Sequence, residues 1–514
     1  MKKLPQRLRR LLSRRTFIVL LILAQLALLI ALFMRYHHLR WVAISLNVIS
    51  VITALHLLTR PDKNAFKLSL IFLILLVPLF GGALYWIFHF QTASVGFRRT
   101  LETIGDKARA WARETKTAHS EAKLTEATEA LPEHAKQIRY LQNVTGFPIY
   151  KNTEVRYFSH GMPMLEALLE DLESARRFIF LEYFIIEEGR MWNAILEVLE
   201  RKAQEGLDVR VVFDDLGCIL TLPPDYSKRL REKGIQCQPF NKFHPFLTNL
   251  QNNRDHRKIA VIDGRVAYTG GINLADEYIG ERIKHGVWKD SAVRLCGDGA
   301  RSLTVMFLQI FGMLNRKEET YADYLGTESS SDTVGWVQPY SDSPIDREPV
   351  GEQVYLHMIQ GARKYLYITT PYLMVDDNLL SALKISAKSG VDVRIITPGI
   401  PDKKTVHFTT RSYYQELIAA GVRIYEYAEG FMHSKTFVSD DSVATVGTTN
   451  LDFRSLYLHF ECGVCLYGSE AVAEVKKDFL STLSLCREIT QADCKAGLLK
   501  RLFQCICRIF APLM

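Results

Sequence analysis

The 514-residue sequence has nine cysteines, but none is paired with histidine at a zinc-like spacing, which argues against a structural zinc module. Their odd count and scatter argue against a disulfide framework. Cys462 and Cys465 share a CxxC spacing, yet they fall in a segment that reads as a buried strand. No acidic residue occurs in residues 1–15, which hold Lys2, Lys3, Arg7, Arg9, Arg10, Arg14 and Arg15. Those seven charges account for most of the net +8, so the rest of the chain is left with only +1. The body therefore lacks the basic face that nucleic-acid binding needs, and no nucleic-acid partner is expected. The basic start suits an anionic membrane surface instead.

What is present is grease at one end. Residues 16–34 are apolar except for Thr16 and Gln25, and residues 68–88 form a second such run. About 20 apolar residues cross a bilayer as a helix. Residues 41–58 make a weaker third candidate, interrupted by Ser45, Asn47, Ser50, Thr53 and His56. No small-residue cleavage site follows residue 34, so a retained anchor is expected rather than a signal peptide. Arg98, Arg99, Lys107, Arg109 and Arg113 compete with the basic start, and the positive-inside rule gives no single orientation. The Ala-, Glu- and Lys-rich stretch 91–140 reads as a helical stalk. The last residues, LLKRLFQCICRIFAPLM from Leu498, set Lys500, Arg501 and Arg508 among apolar residues, a pattern suited to a helix in the bilayer interface.

The body repeats itself. ARRFIFLEYFI from Ala175 is similar to ARKYLYITTPYL from Ala362, and GLDVRVVFDD from Gly206 to GVDVRIITPG from Gly390. Helix-like segments, 193–205 and 378–389, separate these landmarks. Each half reads as strand, helix, strand, helix, strand, with apolar strands covered on both faces. Two similar α/β domains related by a pseudo-twofold axis are expected.

Inside the duplication lies a pair of matching motifs. HRKIAVIDGRVAYTGGIN contains His256, Lys258, Asp263, Gly270 and Asn273; HSKTFVSDDSVATVGTTN contains His433, Lys435, Asp440, Gly447 and Asn450. His and Lys two apart on a strand share one face. Two such strands brought together present two imidazoles flanked by two ammoniums, which suits a phosphodiester. The lysines and asparagines hold non-bridging oxygens, one histidine attacks phosphorus and the other protonates the leaving oxygen. The lysines supply the positive charge, so no metal or other cofactor is required. Phe240, Phe243 and Phe246 are candidates for an acyl-chain entrance, although aromatics at such places more often belong to a core.

The doubled HxKxxxxD pattern resembles the phospholipase D superfamily over roughly residues 150–490. The wording of both stretches is similar to that of bacterial cardiolipin synthases. RPDKNAFKLSLIFLILLVPLFGGALYW also resembles the membrane segment of that family. One departure is that GTTN stands where Gly-Ser-x-Asn is more usual, though threonine keeps the hydroxyl. The resemblance implies a phosphohistidine route, with His256 as nucleophile and His433 as general acid and then base, or the reverse. It implies that Lys258, Lys435, Asn273 and Asn450 contact phosphate, and that Asp263 and Asp440 belong to the motif more as braces. Asp290 and Glu461, at comparable places after each motif, are candidates to orient the histidines.

The implied activity is phosphatidyl transfer between two phosphatidylglycerol molecules, giving cardiolipin and glycerol. The alternatives are another phospholipase D-type lipid enzyme, such as a phospholipase D or phosphatidylserine synthase, or a membrane-tethered nuclease. The expected organisation is a transmembrane region at 1–90, a helical linker at 91–148, phospholipase D-like domains at 149–330 and 331–490, and an amphipathic segment at 491–514. The expected location is a bacterial cell membrane, multi-pass.

Overall fold

The computed structural model describes residues 40–76 apart from 62, and 118–514 apart from 244–248, 318, 327–332 and 346–347, with a few single positions before 118. The chain divides into two compact units. One takes in Met1–Arg98, Phe243–Asn252 and Leu513; the other takes in the rest.

In the first unit, helices Arg40–Thr59 and Asn64–Leu76 are broken apart near Pro61. Thr53 and Ser69 turn their hydroxyls back onto the carbonyls of Ile49 and Ala65, which satisfies polar groups within an apolar helix. Trp86 donates its indole N–H to Thr53, 2.8 Å away. Among the described residues no helix is long and apolar enough to cross a membrane. The expected span 41–58 does form one helix, Arg40–Thr59. The expected span 16–34 lies almost wholly outside the described residues. The span 68–88 is described only to Leu76 and at Gly82, Tyr85 and Trp86.

In the second unit, apolar runs make strands that are buried on both faces. FIFLEY at 178–183 is buried at every position. The first half supplies β1 (Thr153–Phe158), β2 (Phe178–Tyr183), β3 (Asp208–Asp214), β4 (Gln236–Phe240), β5 (Lys258–Ile262), β6 (Val266–Gly270), β7 (Val287–Lys289) and β8 (Ala292–Gly297). The second half supplies β9 (Trp336–Asp342), β10 (Tyr365–Thr369), β11 (Asp392–Pro398), β12 (Arg423–Tyr427), β13 (Gly430–Met432), β14 (Thr436–Ser439), β15 (Val443–Gly447), β16 (Glu461–Tyr467) and β17 (Cys486–Ile489). One sheet runs β1-β8-β6-β5-β2-β3-β4. The other, read from its β9 edge, runs β9-β16-β15-β14-β10-β11-β12 and ends on β17. The duplication seen in sequence is thus a duplicated strand order, and the chain holds two α/β domains of one plan.

Helices cover both faces. Arg190–Gln204 turns Trp192, Ile195 and Leu199 inward, and Asp377–Lys388 is its counterpart in the second half. Both begin a residue or more before the helices expected from sequence. Ala300–Asn315 is buried along most of its length. Ala135–Thr145, expected as part of a stalk, instead buries Ile138 and Leu141. Its Ile138 carbonyl accepts from Gln338 of β9, so it packs as part of the second half. Cys462 and Cys465 are buried in β16, and all nine cysteines are free thiols.

The motif aspartates serve this architecture. Asp263 and Asp440 follow β5 and β14, both in left-handed backbone conformation with φ of 53°. Asp263 accepts from the backbone N–H groups of Arg176, Arg177 and Phe178 at 2.8–2.9 Å. Asp440 accepts from those of Arg363, Lys364 and Tyr365 at 2.7–2.9 Å. Each carboxylate thereby ties the start of a central strand to the end of its neighbour. Replacing either with alanine leaves three donors without this partner. Asp440→Ala is expected to cost about 2 kcal/mol, read as a lowered thermal midpoint of the purified chain; an unchanged midpoint would contradict the bracing role.

Candidate active site

Lys258 opens β5, and His256 lies two residues earlier on the same face; Lys435 and His433 stand in the same relation to β14. Both histidines are stitched to the opposite half by backbone hydrogen bonds. The His256 N–H donates to the Phe460 carbonyl at 2.9 Å, and the His433 N–H donates to the Lys289 carbonyl at 2.7 Å. Phe460 and Lys289 immediately precede Glu461 and Asp290, so the carboxylates of one half are delivered to the imidazoles of the other. His256 Nδ1 lies 3.0 Å from both Glu461 oxygens, and His433 Nδ1 lies 2.6 Å from Asp290 Oδ2. Asp290 and Glu461 thus each meet the histidine of the opposite half. A carboxylate accepting from Nδ1–H leaves Nε2 free for chemistry.

The lysines fold back on their own motifs. Lys258 Nζ donates to the His256 carbonyl at 2.5 Å. Lys435 Nζ donates to the His433 carbonyl and lies 2.9 Å from His433 Nδ1. Asn273 gives one N–H to the Tyr278 hydroxyl, and Asn450 gives one to Asp452. Each amide retains a second N–H. Asp263 and Asp440, grouped with the catalytic residues on sequence, are not part of this cluster. Asp263 lies five residues on from Lys258, about 17 Å along β5. Phe240 is buried against the Phe460 ring; Phe243 belongs to the other unit, and Phe246 lies outside the described residues.

The motif glycines allow this closeness. Gly270, with φ of 152°, has the Ser291 carbonyl 2.4 Å from where a Cβ would lie. One residue on, the halves differ. A Cβ on Gly271 would meet Asp290 Oδ1 at 2.0 Å. Its counterpart Thr448 uses its hydroxyl to donate to Glu461 Oε2.

Burial sets the electrostatics. It drives His256 down to about 3, against the pull of Glu461 and with a further push from Lys258. It drives His433 well below its ordinary value, assisted by Lys435, Lys258 and Lys403. Burial lowers Lys258 to about 8 and Lys435 to about 7, opposed in each case by both Asp290 and Glu461. It raises Asp290 to about 7 against Lys435, Lys258 and Lys289. Burial also works to raise Glu461, but the His256 and His459 rings outweigh it and hold that carboxyl below the usual range. Each ammonium feels both carboxylates, so the six groups form one electrostatic unit. An anion entering between the lysines would restore their charge.

Sequence reasoning missed two flanking rings. Trp288 and His459 stand two residues before Asp290 and Glu461. Trp288 packs 5.7 Å from the His433 ring and His459 packs 5.6 Å from the His256 ring. The signal was positional, because the two share a place in the repeat but not a residue type. His256, His459 and Glu461 offer donor atoms within 4.8 Å of one another, enough in principle to hold an ion, although His256 and Glu461 already engage each other.

The family model for the cardiolipin synthase phospholipase D-like domain matches residues 168–291 and again 355–483. A cardiolipin synthase of a Geobacillus species is 36% identical over 76% of this chain and 78% of its own length. Cardiolipin synthase 2 of Bacillus cereus is 36% identical over 70% and 71%. An uncharacterized protein of Streptococcus mutans is 48% identical over 73% and 82%. Among solved structures, phosphatidylserine synthase of Haemophilus influenzae aligns with a TM-score of 0.56 and 16% identity, over 74% of this chain and 98% of that one, a likeness of fold.

The tight seat of Asp290 can be tested without any activity. Gly271→Ala is expected to cost about 2 kcal/mol by overpacking, and adding Asp290→Ser should recover part of it in thermal unfolding. A double variant no more stable than the single one would mean that the carboxylate is not what the new methyl strikes.

Proposed function

Because the chain belongs to the cardiolipin synthase family, with its phospholipase D-like domains, we propose that it is a phosphatidyltransferase that makes cardiolipin from two phosphatidylglycerol molecules and releases glycerol. The carrying observation is the pair of buried His-x-Lys strands whose imidazoles take their carboxylates from opposite halves.

His256 Nε2 attacks the phosphorus of the first lipid. The bond to the glycerol head group breaks, and His433 gives its proton to the departing oxygen. The product is a phosphatidyl group on His256 and free glycerol. A second phosphatidylglycerol then presents a head-group hydroxyl; His433 takes that proton as the oxygen attacks phosphorus and the P–N bond breaks. Lys258, Lys435 and the remaining N–H groups of Asn273 and Asn450 hold the non-bridging oxygens through both transfers. Asp290 and Glu461 keep the imidazoles oriented. Burial, assisted by the lysine charges, holds His433 neutral; the bound phosphodiester offsets the lysine part, so substrate helps ready the acid. The greasy N-terminal fifth anchors the enzyme in the membrane, where the second lipid is present at high effective concentration and competes with water for the intermediate.

Incubating the purified chain with phosphatidylglycerol alone should release glycerol and form a four-chain lipid; phosphatidic acid as sole product would refute transfer. His256→Asn and His433→Asn should each lower turnover by roughly 10³-fold or more. With phosphorus-labelled lipid, His433→Asn should retain covalent label and His256→Asn should not; the opposite pattern would exchange the two roles. The pH profile has a definite sign. The free lysines are charged only below about 7 and about 8, so the rate at subsaturating lipid should fall as pH rises through that window. A rate climbing steadily from pH 6.5 to 9 would contradict the lysines' role as phosphate holders.

A further inference from the structure

The C-terminal helix Leu498–Phe510 is turned the wrong way round for a globular protein. Leu498, Leu499, Leu502, Phe503 and Ile506 recur at i, i+1, i+4, i+5 and i+8, which makes one apolar stripe. Such a stripe normally faces a core. Here Leu498 and Leu499 are 84% and 83% exposed, and Leu502, Phe503 and Ile506 are exposed as well. The side packed on the body is mainly the polar one, with the half-exposed Phe503 at its edge meeting the Phe408 ring at 5.2 Å. Arg508 pairs with Glu416 at 3.2 Å and sits over the Tyr413 ring at 4.2 Å. Lys500 and Gln504 help line a cavity of about 160 Å³ with Lys404, His407, Arg411 and Asp493. Cys507 is buried, and Arg454 holds the terminal Met514 carbonyl at 2.6 Å, so the helix is docked.

We propose that this helix is a second membrane contact, lying flat in the boundary between head groups and acyl chains of an anionic bilayer. From Leu498 to Ile506 the stripe runs about 13 Å along the helix. No acidic residue follows Asp493, while Lys495, Lys500 and Arg501 flank the stripe, and this charge matches anionic phosphates rather than a protein surface of mixed sign. A single strip five side chains long also falls short of the roughly 800 Å² per partner that a stable dimer buries. Resting on the proposed lipid substrate, the contact would seat the body at the height of the head groups, independently of the N-terminal segment.

The test uses the full chain. Leu502→Trp is reconstituted in phosphatidylglycerol-containing vesicles with and without brominated acyl chains, and wild-type emission is subtracted. The added emission should be blue-shifted and at least halved by the brominated lipid, with little effect of aqueous acrylamide. Quenching by acrylamide but not by brominated lipid would overturn the proposal. Quenching by neither would overturn it too, because it would mean that protein, whether another copy or the N-terminal segment, covers the stripe. In parallel, Leu499→Glu/Leu502→Glu should lower turnover on vesicles at least tenfold while staying within twofold of wild type on monomeric short-chain phosphatidylglycerol; equal loss on both, or no loss, counts against it. Emission is read without any reaction, so a chain that makes no cardiolipin yet shows lipid quenching would refute the activity and leave the contact standing.

Discussion

Everything in the body is arranged around an exchange, in which each imidazole comes from one half of the duplication and its carboxylate from the other. The exchange is held by the backbone as well as by side chains, through His256 to Phe460, Phe460 to Arg254 and His433 to Lys289, and by the pairing of β7 with β13. Neither half therefore carries an oriented histidine of its own. Separating the halves would leave two carboxylates and two imidazoles without these partners, a costly state for each where it stays buried.

The second constraint is charge. Two ammoniums, two carboxylates and two imidazoles share one buried place, and burial penalises every ionised form. Lowering Lys258 from its ordinary 10.5 to about 8 corresponds to about 3 kcal/mol against the charged state. An anion beside the lysines would relieve that cost. The group of six thus carries a built-in preference for negative charge.

Much of this was legible from residues alone. The doubled motif, the repeated strand order and the equivalence of Asp290 and Glu461 all appear in one line of sequence, because they depend on local pattern and spacing. The crossing of the pairs does not, since spacing says where a carboxylate lies on its own strand and nothing about which imidazole it faces. Asp263 and Asp440 show the opposite difficulty: they share a motif with the site residues, yet the rise of a strand carries them away to brace a turn. Ile138 and Leu141 turned an expected stalk into a packed helix, since two apolar residues three apart suffice to dock one turn on a neighbouring sheet. Trp288 and His459 escaped notice because the repeat conserves their place and not their chemistry.

The halves are alike in plan and unlike in detail, and the detail bears on how the two histidines divide the work. Glu461 receives the Thr448 hydroxyl and spans His256 with both oxygens, and it stays ionised well below neutrality. An imidazole so held keeps its Nδ1 proton in place and its Nε2 lone pair available. Asp290 sits against Gly271 with no hydroxyl between them, approaches His433 through one oxygen, and titrates at about 7. His433 thus has beside it a carboxyl group poised near neutrality, where His256 has one that is firmly ionised. The two copies of one motif have diverged just enough to give one imidazole a firmly ionised partner and the other a partner that titrates near neutrality, an asymmetry that would suit unlike roles under the proposed mechanism.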